Sequence, residues 1–342
     1  MTISVCMIVK NEEKTLPVCL KSLEGIADEL IVVDTGSADG TVAAAEAAGA
    51  KVFHFEWADD FAKARNFAFS KASCDYIYSA DADEELDEEN RERFLRLKKE
   101  LGENGFLPDI VQFYYSGQLS QVSVYNYDRE YRPKLFKRER PFVWEGAVHE
   151  QVRLEPDVYD SEIVISHKPH GQHADRDLAI FRQMAESELK GNERMSSRLF
   201  AMYARELYIA GTPEDLKRAS AYMSVRADEE ENGDAVEAAC LVVLRAARLS
   251  GDDGTFFRYA LRLMNSEKKS SELCCELGDY YYAAGEIVDA CVWFMQAADV
   301  EKPVLDIRTG TERAYRGAAD CLRAAGDETG ALEWQKRLLE VS

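Results

Sequence analysis

Short apolar runs alternate with helix-like segments over the first half of the chain. Apolar runs rich in β-branched residues predict strands, whereas apolar residues three or four positions apart predict helices. The strand-like runs are 4–9, 29–34, 51–55 and 76–79, and the helix-like segments between them are 16–23, 39–48 and 61–72. This order predicts an α/β domain with a mainly parallel, Rossmann-like sheet and helices on both of its faces. Ligands of such sheets bind at the carboxyl ends of the strands.

The strand pattern disappears from about Ala174, and helical spacing continues to the end of the chain. Four helix-like segments in this half end alike, at Gly211, Gly251, Gly285 and Gly326. Small residues, Ala290 and Ala331, follow the last two glycines at the same spacing. This pattern resembles tetratricopeptide (TPR) hairpins, in which small residues lie where paired helices touch. We therefore predict one domain at 1–173 and an all-α helical-repeat domain at 174–342, with an irregular helical bundle as the alternative to repeats.

The composition indicates a folded protein with an acidic surface. Of the 342 residues, 46% are hydrophobic and 31% are charged, which argues against disorder as the main state. The net charge of -21 repels nucleic-acid backbones and anionic lipid, so we expect neither as a partner.

The sequence also predicts a cytoplasmic protein without an integral membrane segment. No apolar stretch is long enough to span a bilayer, and residues 1–13 lack the basic leader and long apolar core of a signal peptide. The eight cysteines form no CxxC pair, so we expect free thiols in a reducing compartment rather than disulfides or a zinc site.

Two carboxylates follow the fourth strand-like run directly. Asp81 and Asp83 flank Ala82, where the chain leaves the predicted sheet. Two oxygen donors one residue apart can share a hard cation such as Mn²⁺ or Mg²⁺, and such a cation can neutralise a diphosphate. The alternative is that these acidic residues only begin the helix predicted at 91–101, because acidic side chains are favourable at a helix start.

Three other segments precede this pair in order. They read VKNEE at 9–13, DTGSADGT at 34–41 and WADDFAKARN at 57–66. Together with DAD at 81–83, the series resembles the family-2 nucleotide-sugar glycosyltransferases of the GT-A fold, and the resemblance covers roughly residues 2–170. It is closest to a bacterial branch that includes peptide, protein and lipopolysaccharide-core glycosyltransferases.

The resemblance implies a site for a UDP-sugar donor. In it, Asp34 accepts hydrogen bonds from the uracil or ribose, and Arg65 reaches the diphosphate. Asp81 contacts the ribose or a metal-bound water, and Asp83 binds the metal directly. The alternatives are a turn residue for Asp34 and a solvated helix charge for Arg65. The full set of predicted donor-binding residues is Val9, Asn11, Glu12, Asp34, Arg65, Asp81, Ala82 and Trp144.

An inverting transfer also needs a base near the acceptor, because the attacking hydroxyl must lose its proton. Glu150, in a segment comparable to the "GxVHE" of related sequences, is the first candidate, and Glu145 is the second. The alternative is that Glu150 is a strand residue paired with Arg153. Aromatic residues in the same segment, at 142–146, are expected to form a floor for a sugar ring.

The resemblance further implies a histidine as third metal ligand. His167 is preferred because the apolar run 163–165 delivers it at a strand end. His149 and His170 are the competitors, and a histidine hydrogen-bonded in a loop is the structural alternative. A zinc site of three histidines is possible by ligand type, but the nearby carboxylates favour a harder ion.

These inferences predict a metal-dependent, inverting glycosyltransferase. It would move glucose or N-acetylglucosamine from a UDP-sugar to a polypeptide or glycan acceptor. The helical half would bind the acceptor, form a homodimer, or do both. The alternative from another class is a non-catalytic interaction protein with a relic sheet domain. A nucleotidyltransferase is a third interpretation, but it should carry a Gly-rich basic loop where this chain has residues 9–12.

Overall fold

The computed structural model describes residues 1–116, 130–152, 157–168, 174–265 and 269–341. The described residues fall into two compact units, one ending at Lys168 and the other beginning at Ala174. The predicted boundary residue, His173, lies outside the described residues.

In its described residues, the first unit combines ten strands with four α-helices. The strands are β1 (Ile3–Val9), β2 (Glu29–Asp34), β3 (Lys51–His54), β4 (Tyr76–Ala80), β5 (Glu84–Glu85), β6 (Ile110–Ser116), β7 (Glu130–Lys137), β8 (Trp144–Glu145), β9 (Gln151–Val152) and β10 (Val158–His167). The helices are α1 (Leu16–Ser22), α2 (Thr41–Ala47), α3 (Phe61–Phe69) and α4 (Glu88–Glu100). Eight strands form one sheet in the order β3-β2-β1-β4-β7-β6-β10-β5, and β8 pairs with β9 separately.

The sheet confirms the prediction of a mainly parallel arrangement. β1 pairs in parallel with β2 and with β4, and β2 pairs in parallel with β3. The sequence did not predict β7, which runs antiparallel between β4 and β6. This pairing matters for the site, because it places residues in the second half of β7 next to β4.

Alternating residues of β1 belong to different cores, which explains why six of its seven residues are apolar. Ile3, Val5 and Met7 pack with Phe94 of α4 in one cluster. Cys6 belongs to a second cluster, formed with residues of β2, β4 and α3. Successive side chains of a strand point to opposite faces, so a strand covered by helices on both faces is apolar at most positions. The polar exception, Ser4, is buried and donates a hydrogen bond to Glu29.

The second unit is helical, as predicted. Its helices are α5 (Ala174–Leu189), α6 (Ser197–Ala210), α7 (Pro213–Glu229), α8 (Gly233–Ser250), α9 (Asp253–Met264), α10 (Ser271–Ala283), α11 (Ile287–Asp299), α12 (Glu312–Ala324) and α13 (Glu328–Val341). The four glycines that the sequence singled out follow α6, α8, α10 and α12. Ala290 and Ala331 are fully buried, in agreement with the small contact residues of a TPR-like unit.

The predictions on cysteines and membrane helices can also be compared with the structure. All eight cysteines are free thiols, as expected. Within the described ranges, none of the helices combines the length and the apolar character required to cross a bilayer.

Candidate active site

After β4 the chain turns into the short strand β5, which lies at the edge of the sheet next to β10. Directly after this turn, β5 pairs antiparallel with the end of β10, so that Glu84 lies opposite His167. The carbonyl of Asp83 accepts a hydrogen bond of 2.9 Å from the amide of Lys168. This register brings Nε2 of His167 to 3.1 Å from Oδ2 of Asp83. Two of the three predicted metal ligands are therefore adjacent.

Arg65 binds the third predicted ligand, Asp81. Its guanidinium donates to Oδ1 of Asp81 at 2.8 Å and to Oε1 of Glu150 at 2.5 Å. A longer contact of 3.3 Å reaches the hydroxyl of Ser79. Burial alone would raise the pKa of Asp81, but the charges of Arg65 and Lys134 hold it well below its usual value. These charges favour the ionised form of Asp81, and Arg65 ties its carboxylate to α3.

Three buried residues of neighbouring strands, Lys134, Glu84 and Tyr115, form a group beside Asp81. Lys134 of β7 donates to Oε1 of Glu84, and its ammonium lies 3.5 Å from Oδ2 of Asp81. The hydroxyl of Tyr115 donates to the same Glu84 oxygen, and its ring lies 5.1 Å from the ring of His167. Burial raises the pKa of Glu84 above its usual value; the charge of Lys134 opposes this effect.

Sequence reasoning missed Glu84, Lys134 and Tyr115. Glu84 looked like one of several acidic residues before a helix. The available signal was Lys134, because it precedes two core residues, Leu135 and Phe136, within a strand. A lysine at such a position is rarely buried without a carboxylate partner.

Asp34 lies at the end of β2 and accepts hydrogen bonds from the turn that follows. The amides of Gly36 and Ser37 reach it at 3.2 and 3.1 Å, and Nδ1 of His54 lies 3.4 Å away. Burial alone would raise the pKa of Asp34, but the hydrogen bonds from Ser37 and Gly36 lower it. The turn role considered from the sequence is therefore present; a role in donor binding stays a prediction.

The loops after β1 and β2 are joined to each other. Asn11 has a left-handed backbone, with φ of 58°, and its side chain accepts from the amide of Ala38 at 2.8 Å. The amide of Glu12 donates to Oγ1 of Thr41 at 2.7 Å. The carbonyl of Val9 accepts hydrogen bonds of 3.0 Å from the hydroxyl and the amide of Thr35, the residue after β2. The predicted donor residues of β1 and β2 thus share one edge of the sheet.

The segment 144–150 connects α3 to the site. Asn66 and the backbone of Trp144 exchange two hydrogen bonds, of 2.8 and 2.9 Å. The Trp144 ring is only 8% exposed, and it packs against Phe69 and Phe136 of the core. It therefore fixes the segment, and its predicted contact with a sugar is untested.

The two predicted bases differ in their surroundings. Glu145 is exposed, whereas the Glu150 side chain is 11% exposed and bound to Arg65. Arg153 and His170, which entered as alternatives, lie outside the described residues. His149 has a left-handed backbone with φ of 49°, and His167 is the histidine at hydrogen-bond distance from Asp83.

The arrangement can be tested for its fit to a divalent cation. In the part of the chain that the structure describes, no group of three or more His, Cys, Asp or Glu side chains is arranged to hold a metal ion. Asp83 and His167 are together, whereas Asp81 is ion-paired with two cations. Besides His167 and Tyr115, the ionisable groups of the site are four acidic ones, Asp81, Asp83, Glu84 and Glu150, and two basic ones, Arg65 and Lys134. In their usual ionised forms these groups leave two negative charges uncompensated, which suits a divalent ion with further ligands from a bound diphosphate.

Residues 4–153 match the sequence model described as Glycosyl transferase family 2. The first unit contains a family-2 glycosyltransferase domain. The match includes Arg65, Asp81, Asp83 and Glu150, while His167 follows it.

Curated relatives resemble only part of this chain. A TPR repeat-containing protein of Synechococcus elongatus is 41% identical over 150 residues, which are 44% of this chain and 35% of that protein. The glycosyltransferase SunS of the SPbeta prophage in Bacillus subtilis is 30% identical over 155 residues, 44% of this chain and 34% of that protein. The chain therefore spans about a third of the length of these relatives.

Among solved structures, glucosyl-3-phosphoglycerate synthase of Mycobacterium tuberculosis in complex with Mn²⁺, UDP and glucosyl-3-phosphoglycerate is 21% identical to this chain. The alignment covers 56% of this chain and 81% of that one, with a TM-score of 0.38.

Proposed function

We propose that this protein is a glycosyltransferase that uses a UDP-sugar as donor and a divalent cation. The observation that carries the proposal is the Asp83–His167 pair beside the Asp81–Arg65–Glu150 chain of ion pairs, at the end of β4 in a family-2 domain. Relatives named as glycosyltransferases support the reaction class. Glucose or N-acetylglucosamine is the proposed sugar, and a polypeptide or glycan is the proposed acceptor.

Each residue of the site has its own proposed role in binding the donor. Asp83 and His167 would hold Mn²⁺ or Mg²⁺, which would supply positive charge to neutralise the diphosphate. Asp81 stays ionised because of Arg65, and it accepts hydrogen bonds from the ribose or a water. Arg65 keeps a positive charge next to the diphosphate. The loops that contain Asn11 and Asp34 close the nucleotide side of the site.

Proton removal from the acceptor is assigned to segment 144–150. Transfer with inversion is a single displacement, in which the acceptor oxygen attacks the anomeric carbon while UDP leaves. Glu150 is the proposed base: Arg65 binds its Oε1, which orients the carboxylate. Glu145 is the second candidate because it lies in the same segment and is exposed.

A non-catalytic interaction protein is the competing function. The name of the Synechococcus relative, a TPR repeat-containing protein, favours it. In a decayed site, the loss of one partner would leave a buried charge unpaired, which is costly. Here Arg65, Asp81 and Glu150 are all paired, which argues against a relic site. Hydrolysis of the donor in the absence of an acceptor would separate the two functions.

Calorimetry with UDP tests the proposal. With Mn²⁺ present, UDP should bind in the micromolar range, and EDTA should weaken binding markedly, because the diphosphate and the site's carboxylates repel each other without the cation. A panel of UDP-sugars, read as UDP release, then identifies the sugar.

The variant Asp83→Ala tests the role of Asp83 as a metal ligand. It should lower transfer at least about a hundredfold, as expected for the loss of an electrostatic group that acts in the transition state. Its melting temperature should barely move, because the side chain is outside the core. Glu89→Gln, in an exposed ion pair of α4, is the control. Equal affinity for UDP with and without metal would refute the metal assignment.

A further inference from the structure

Lys134 is a buried lysine whose position suggests more than packing. It is 5% exposed in the interior of β7, and Glu84, its bonded partner, is 3% exposed. A buried ammonium requires a compensating carboxylate. Lys134 has two within reach, because Asp81 lies 3.5 Å away on its other side.

The two oxygens of Asp81 are held by different cations. Arg65 of α3 binds Oδ1, and Lys134 of β7 lies next to Oδ2. A carboxylate held at both oxygens has its plane fixed. If only Arg65 bound Asp81, through Oδ1, the carboxylate could still rotate about the Cβ–Cγ bond.

The same group reaches the predicted metal ligand. Tyr115 donates its hydroxyl to Glu84, and its ring lies against the ring of His167. Glu84 and His167 are also opposite each other in the strand pairing of β5 with β10. The buried group of Lys134, Glu84 and Tyr115 therefore contacts Asp81 as well as His167.

We propose that Lys134 is a positioning residue of the donor site, which fixes the carboxylate of Asp81 through its contact with Oδ2 while Glu84 holds the ammonium in place. This inference rests on the proposed function, since it concerns how the same donor would be bound. Lys134 itself acts through Asp81 and not on the reacting atoms.

The test must separate positioning from stability. Lys134→Met alone would leave Glu84 buried without its cation, which destabilises folds strongly. The double variant Lys134→Met/Glu84→Gln removes one cation and one carboxylate together. It leaves the formal charge of the site unchanged and no buried charge unpaired, so a loss of donor binding would report the position of Asp81.

The measurements are the melting temperature and the affinity for UDP with and without Mn²⁺. The double variant should melt within a few degrees of the wild type, bind UDP with Mn²⁺ at least about tenfold more weakly, and keep the weak metal-free affinity. Lys134→Arg, which retains a cation on β7, should recover most of the lost affinity. Lys98→Met/Asp28→Asn, which removes another lysine–carboxylate pair, with 2.6 Å between its charged atoms, should bind UDP like the wild type.

The outcomes are distinct. If the wild type shows no metal-dependent UDP binding, the proposed function fails and this inference fails with it. If the wild type binds and the double variant binds equally well, only the role of Lys134 is overturned. If the melting temperature of the double variant collapses, Glu84→Gln decides, because it removes the carboxylate that holds the Lys134 ammonium and leaves Lys134 with Asp81 as a partner. Wild-type UDP affinity in Glu84→Gln would assign the group to stability and overturn the proposal, and weakened affinity would support it.

Discussion

At the scale of single residues, Arg65 determines how the candidate site is organised. It comes from the middle of α3 and binds Asp81 at the end of β4 and Glu150 in segment 144–150. The Trp144 ring lies 5.2 Å from its guanidinium carbon. One side chain thus joins three parts of the chain, and the two carboxylates on it have different predicted roles.

The roles of Glu150 and Glu145 can be separated by replacing each with glutamine. Glu150→Gln should lower transfer by about a hundredfold or more, the usual effect of losing a general base, and should also weaken UDP binding because Arg65 loses a partner. Glu145→Gln should change either quantity by less than about threefold. Transfer rates and calorimetric affinities of both variants give the answer. Loss of transfer in Glu145→Gln with retention in Glu150→Gln would make Glu145 the base.

A pH effect is expected from Glu29, far from the reacting groups. Burial alone would raise the pKa of Glu29, but hydrogen bonds from Lys51, Ser4 and Ser73 lower it from 4.5 to about 2. A depressed pKa means that the carboxylate stabilises the fold above pH 4.5 and that this contribution is lost as the pH falls towards 2. Glu29→Gln should therefore lower the melting temperature at pH 7, and its difference from the wild type should shrink below pH 4.5. A difference that is constant with pH would contradict this.

The candidate residues differed in how far the sequence could predict them. The proximity of Asp83 and His167 could be predicted because each follows a strand-like run, and strand ends of a parallel sheet meet at one edge. Their role as metal ligands stays a prediction. Lys134 and Tyr115 were missed because their importance depends on β7 lying next to β4, and no local pattern encodes which strands are neighbours. The sequence likewise did not indicate that Asp81 is tied to Arg65, since ion pairs between distant segments need the tertiary structure.

At the scale of elements, periodic patterns were reliable and strand order was not. Helix α3 begins where expected because Asp60 caps it, accepting from the amide of Lys63 at 2.9 Å, but it ends at Phe69 instead of residue 72. The observed β2 has its predicted bounds. The antiparallel β7 has polar and apolar residues without clean alternation, so its pattern gave no strand signal.

The helical hairpins depend on small residues at close contacts. Phe294 of α11 lies between Gly278 of α10 and Gly317 of α12. A Cβ atom at Gly317 would lie 2.5 Å from the Phe294 ring, and one at Gly278 would lie 2.9 Å from it. These glycines are therefore required by packing and not by backbone conformation.

Gly317→Ala should consequently destabilise the protein. Overpacking of a core costs roughly 1–3 kcal/mol, which exceeds the gain of about 1 kcal/mol that alanine usually brings to a helix interior. Chemical unfolding of the variant measures the difference. Gly233→Ala is the control because no atom lies within 4 Å of its Cβ position, and adding Phe294→Leu to Gly317→Ala should recover part of the loss. A Gly317→Ala protein as stable as the wild type would refute the packing argument.

At the scale of the whole molecule, each unit has a hydrophobic core of its own. The largest cluster of the first unit includes Phe94 of α4 and Phe113 of β6, whereas Phe294 and Trp334 belong to a separate cluster among α10–α13. Every contact described for the candidate site lies between residues of the first unit. We therefore propose that donor chemistry belongs to the first unit, and acceptor recognition or homodimerisation to the second.

A chain that ends at residue 173 tests this division of labour. Because the site's contacts stay intact, the shortened protein should bind UDP with Mn²⁺ within about threefold of the full-length affinity and slowly hydrolyse the UDP-sugar. It should lose transfer to its acceptor, or lose a dimer, because we assign these roles to the helical unit and repeat proteins bind partners along stacked helices. Donor hydrolysis, acceptor transfer and the mass in solution are to be measured on the same sample. If the shortened protein transfers sugar at the full-length rate and its state of association is unchanged, the helical unit has neither role.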